Sequence, residues 1–143
     1  MKKLILLLIV FLTLLACKET IIEKVEDHYQ DNTPKVIGIY KVNGSDTLKI
    51  EEKIYFENGK IKMQGAIKNN IREGKWEAFF DDGILQSIGM FKDGVRHGEA
   101  KVYYHNKQLM YEGTYENGKE SGKWKFYNEQ GELVNEKDFN KGS

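Results

Sequence analysis

From Tyr55 onward, apolar and polar positions recur on a fixed step of 24 residues. Tyr55, Phe79, Tyr103 and Tyr127 hold one position of the unit, and Ile61, Leu85, Leu109 and Leu133 hold another. Ile67, Phe91, Tyr115 and Phe139 hold a third. Inside each unit one segment alternates with period two, as in Ile61, Met63, Gly65 and Ile67 against Lys62, Gln64, Ala66 and Lys68. That alternation predicts short strands with a single covered face. Asn58-Gly59, Asp81-Asp82-Gly83, Asp93-Gly94 and Asn117-Gly118 are turn sequences between them. The second unit therefore predicts a strand over 76–80, a turn at 81–83 and a returning strand over 84–92. A second turn begins at Asp93-Gly94 and ends at Gly98. A short fixed period marks a repeat architecture, in which each unit packs mainly on its neighbours.

Glycines mark the same step. Gly65, Gly89 and Gly113 interrupt the apolar face of the returning strands, and Gly74, Gly98 and Gly122 precede the partner strands. Glycine weakens a strand interior unless something approaches it closely. The expected occupant is a ring from the adjacent strand, with Trp76, Tyr103 and Trp124 as the candidates. Trp76 and Trp124 stand two periods apart, with Ala100 between them. Trp76 and Phe79 have opposite parity, so either both faces are partly covered or a bulge lies between them.

Before the repeats, residues 36–42 and 48–56 read as two strands joined at Asn43-Gly44. This hairpin, 35–54, lacks the glycine–aromatic code and is expected to cap an array occupying 55–143. The expected fold class is all-β: one elongated antiparallel sheet of consecutive hairpins, about nine strands in all.

The N-terminus has another character. Lys2 and Lys3 precede an apolar run from Leu4 to Leu15, broken once by Thr13. The run is shorter than the ~20 residues a membrane span needs and reads as a secretory signal, 1–16. It ends in Leu14-Leu15-Ala16-Cys17, which resembles the bacterial lipobox; the resemblance implies cleavage before Cys17 and lipidation of its thiol. Acyl chains at about 0.8 kcal/mol per buried CH₂ then anchor the chain to a membrane. Lys18, where an Asp would resemble an inner-membrane retention signal, leans the expectation towards the outer membrane. Residues 17–34 are polar and read as a tether, with a short helix over 21–29 as an alternative.

Lys+Arg and Asp+Glu both number 22, and basic runs are interleaved with acids, so nothing points to nucleic acid. Cys17 is the single cysteine, which rules out an intrachain disulfide.

The pattern from Asn58 to Trp76, N-G-K, then a strand Gly, then G-K-W, resembles the MORN repeat in its bacterial variant form. Residues 115–127 resemble it more fully. The resemblance covers Tyr55 to the end, with Lys107 at the Gly83 position, Ala100 at the Trp position and Lys137 at the strand Gly as departures. It implies a sheet of successive hairpins acting as an interaction platform for proteins and sometimes phospholipids. Some bacterial variants carry an antitoxin-like label.

Catalytic chemistry finds little support. His28, His97 and His105 are assigned to the tether, a turn and a strand end, without metal-ligand spacing. Asp81-Asp82-Gly83 lacks the other oxygen ligands of a calcium loop. Ser87 and Ser121 have no partnered His, and no glycine opens a nucleotide-binding loop. The expectation is a non-enzymatic envelope lipoprotein without cofactor or metal. Its partners are the membrane, through the anchor, and an unidentified envelope protein, with phospholipid contact at Lys119 and Lys123 as a further candidate. An antitoxin or immunity-type protein is the alternative, and an envelope hydrolase the third reading.

Overall fold

The computed structural model describes residues 19–140. These form one antiparallel sheet of ten strands in strict sequence order, with no helix among the described residues. The strands are β1 (Thr20–His28), β2 (Pro34–Asn43), β3 (Asp46–Tyr55), β4 (Ile61–Lys68) and β5 (Ile71–Phe79). They continue with β6 (Leu85–Lys92), β7 (Val95–Tyr103), β8 (Leu109–Glu116), β9 (Lys119–Tyr127) and β10 (Leu133–Asp138). At about 4.8 Å per strand such a sheet is roughly 45 Å across.

The strand beyond the expected nine is β1. The stretch read as a tether or short helix is a strand from Thr20, paired with β2 from Thr20↔Val42 to His28↔Pro34. Ion pairs fasten it: Lys41 to Glu19 at 2.6 Å, Lys35 to Asp27 at 2.9 Å and Lys49 of β3 to Glu26 at 2.6 Å. The Tyr29 hydroxyl also donates to the Tyr55 carbonyl at 2.6 Å, tying the β1–β2 connection to the end of β3.

Two kinds of turn alternate. Asn69-Asn70, Asp93-Gly94 and Asn117-Gly118 are two-residue turns with both φ positive (52° and 62°, 49° and 82°, 49° and 83°), the geometry that suits hairpin twist. The opposite edge carries longer turns at 56–60, 80–84, 104–108 and 128–132, each closed by two backbone hydrogen bonds. These longer turns stack on one another: the Asn58 amide donates to the Asp81 carbonyl at 2.7 Å, and the Asn106 amide to the Glu129 carbonyl at 3.0 Å.

The turn expected to run from Asp93 to Gly98 is confined to two residues, and Gly98 lies inside β7 with φ +105°. Gly74 (φ +66°) and Gly122 (φ +65°) lie inside β5 and β9 in the same way. Each sits where one residue of a strand faces three of its neighbour, as between Gly65↔Trp76 and Ile67↔Arg72. The two extra residues keep Arg72 and Trp76 on one face, and glycine supplies the φ that other residues resist. A second register shift falls between Ala78 and Phe79, with Gln86 of β6 as the extra residue.

A single sheet has little interior. Ile39, Ile67, Trp76, Ala100 and Trp124 are the buried hydrophobic residues, and no described polar side chain is buried.

Candidate functional site

The two faces of the sheet differ in chemistry. One cross-strand row runs Lys53, Gln64, Glu77, Ile88, Lys101, Glu112, Lys125, Glu136, one residue per strand from β3 to β10. Its members pair with each other: the Gln64 amide donates to Glu77 at 3.0 Å, and Lys101 lies 3.8 Å from Glu112. Opposite charges facing each other across strands stabilise the sheet by a few tenths of a kcal/mol each, roughly. The hydrogen bonds from Lys75 and Gln64 hold the Glu77 carboxyl below its ordinary range. Several charges of this face are thus paired within the face.

The other face carries the rings. A Cβ on Gly65 would fall within the Trp76 ring, and one on Gly113 within the Trp124 ring. The Trp76 indole N–H donates to the Ala66 carbonyl at 3.0 Å, and that of Trp124 to the Thr114 carbonyl at 3.3 Å. The rings continue sideways. Trp76 meets Phe91 edge-on at 6.3 Å between centroids. Trp124 meets Tyr115 at 5.1 Å, Tyr111 at 5.9 Å and Phe139 at 6.0 Å. The expectation that a ring covers each strand glycine therefore holds for Gly65 and Gly113.

At Gly89 it does not hold. Ala100 occupies the cross-strand position that a Trp would need, so no ring lies over this glycine. A Cβ there would meet only the Arg96 guanidinium at 3.6 Å and the Phe91 ring edge at 3.9 Å. Tyr103, the third candidate ring, covers none of the three glycines. The capping hairpin in turn has a glycine–aromatic pair of its own, since a Cβ on Gly38 would collide with the Tyr40 ring and the Glu26 carboxylate. Around it the Tyr40 hydroxyl donates to Glu26, and Lys49 bridges Glu26 and Glu52 at 2.6 and 2.7 Å. Burial raises the Glu26 pKa, but the hydrogen bonds from Lys49 and Tyr40 outweigh it and leave the carboxyl below its ordinary value.

Two further residues join the ring face, Arg72 and Arg96. The Arg72 guanidinium lies 4.1 Å from the Trp76 ring centre and 5.6 Å from that of Phe91. That of Arg96 lies 5.8 Å from Phe91 and 5.2 Å from Tyr115. The two stand 24 residues apart, so the period that exposed the glycines also marks them.

The titratable groups stay scattered. His97 lies within β7 rather than in a turn, and its Nδ1 accepts from the Asn117 N–H at 3.4 Å. His105 lies in the turn after β7, with Nε2 2.8 Å from Asp82 and its ring 5.0 Å from Phe80. His28 ends β1 at the rim of a shallow depression beside Lys35 and Glu57. Asp82 is held below its ordinary range by the Ile84 N–H in the turn. Among the described residues no three His, Cys, Asp or Glu side chains form a metal-binding group. Cys17 lies outside the described residues.

Residues 48–69, 72–93 and 96–117 each match the MORN repeat variant. These three consecutive segments are similar to that repeat. The first opens at Leu48 in β3, within the segment expected to act as a cap, and the third closes at Asn117. No curated protein and no solved structure matches the chain. MORN repeats serve in general as modules that contact proteins or membranes, and as such are not typically catalytic.

Proposed function

We propose that this chain is a non-enzymatic lipoprotein, anchored through Cys17 in the cell envelope and working as a protein-interaction platform. The observation that carries the reading is the asymmetry of the sheet. One face pairs several of its charges internally, while the other bears rings and two arginines with no second layer over them among the described residues. Trp, Tyr and Arg are the residue types that dominate binding energy at protein interfaces. The signal-like residues 1–16 and the lipobox-like Leu14-Leu15-Ala16-Cys17 support the anchor, and Lys18 in place of an Asp favours an outer-membrane address.

Two measurements test the two halves. With labelled palmitate, Cys17→Ser is expected to abolish labelling; retained label removes the anchor. Photocrosslinkers placed at ring-face positions are expected to trap one envelope protein, and crosslinkers on the charged row are not. Equal trapping from both faces, or none, removes the platform.

A further inference from the structure

We infer that the ring face binds an acidic segment in the polyproline II conformation, with carboxylates three residues apart and a basic residue three further on. The inference rests on the platform reading and specifies its partner. Three cross-strand pairs occupy equivalent places in consecutive repeats: Ile67↔Arg72, Phe91↔Arg96 and Tyr115↔Glu120. They give the ring face a row of charges in the order plus, plus, minus. Among the described residues none of the three side chains has an ion-pair partner. The two guanidiniums lie against rings instead, which orders them while leaving their N–H donors available.

The spacing selects the ligand. Successive pairs are two strands apart, which is about 9.6 Å at the usual strand separation. A polyproline II helix repeats a side chain on one side every three residues, at a rise of about 9.3 Å. Such a segment laid across the strands would present i, i+3 and i+6 to Arg72, Arg96 and Glu120 in register. A β-conformation would turn i and i+3 to opposite sides. Polyproline II segments also dock on aromatic surfaces, which this face provides through the half-buried Phe91 and Tyr115. Glu120, exposed in the same row, disfavours a uniformly anionic lipid surface in this place.

The test uses the detergent-solubilised full chain and labelled peptides containing Asp-Pro-Pro-Asp-Pro-Pro-Lys, read by fluorescence anisotropy at low salt. Saturable binding is expected. Moving the second Asp by one residue should weaken it at least about ten-fold, the scale of one lost charge-assisted hydrogen bond. Arg96→Glu should weaken it equally, and a peptide with Lys at the second acidic position should restore binding to that variant. The restoration also shows that the variant is folded. Equal binding of the shifted peptide, or unchanged binding by Arg96→Glu, overturns the inference. So does arginine-dependent capture by phosphatidylglycerol vesicles without peptide binding. If crosslinking traps a partner whether or not Arg72→Glu and Arg96→Glu are present, the inference fails while the platform stands.

Discussion

Replacing Gly113 by alanine adds one methyl group at a place the Trp124 ring already fills. The neighbouring atoms belong to an indole that is 2% exposed and wedged among Tyr111, Tyr115 and Phe139, so the ring cannot yield as a flexible side chain would. Displacing it weakens three ring pairs, each worth about 0.5–1.5 kcal/mol, and a long hydrogen bond to Thr114. Removing a core Trp altogether costs about 3–5 kcal/mol, which sets the ceiling. The expected loss is therefore about 2–4 kcal/mol, or on the order of 10 °C in melting temperature for a domain of this size. Gly89→Ala supplies the control. It adds the same methyl at the same place in the repeat, but against contacts of 3.6 and 3.9 Å that are ordinary van der Waals distances. Its effect should lie within about 0.5 kcal/mol, since alanine also removes the entropy cost of a strand glycine. Urea melts of both variants decide the matter, with Gly113→Ala repeated in a Trp124→Ala background, where its cost should disappear. Equal melting of Gly113→Ala and wild type would refute the reasoning, as would an undiminished cost without the ring.

Three other outcomes are expected. Tyr29→Phe removes the hydrogen bond to the Tyr55 carbonyl and should cost about 1 kcal/mol in a urea melt. Lys107 stands at the glycine position of its turn with φ +71°, and Lys107→Gly should raise stability by about 0.5–1 kcal/mol in the same assay. Glu26 has a folded pKa below its ordinary 4.5, so its contribution is present above that value and lost as pH falls through the lowered one. Glu26→Gln should flatten the decline of the urea midpoint between about pH 6 and about pH 3, without abolishing it, because Glu77 and Asp82 are lowered too.

The repeats were legible because their faces are set by local alternation, which the sequence displays directly. Strand β1 was not, because its segment is mostly polar and gains its strand state from partners far along the chain, such as Val42 for Thr20 and Lys49 for Glu26. Gly74, Gly98 and Gly122 were visible as glycines needing special φ, but a bulge and a turn leave the same mark in sequence, and they are bulges. Arg72 and Arg96 carried the same period as the glycines, but two arginines on a polar strand end resemble ordinary solvated surface until the rings beneath them are placed.

Gly89 shows where a single position stops being informative. Gly65, Gly89 and Gly113 are alike in sequence, in register and in strand position, yet a ring lies over only the first and last. The difference is eleven residues downstream in each case, at Trp76, Ala100 and Trp124. Cross-strand neighbours at that offset pack as one unit, so the glycine matters only together with its partner. Where alanine stands in place of the ring, Arg96 lies within contact range of the open position and reaches both Phe91 and Tyr115. In the repeat with alanine at the Trp position, an arginine thus spans two neighbouring rings, and the repeat that departs most from its pattern places a cation at the middle of the ring face.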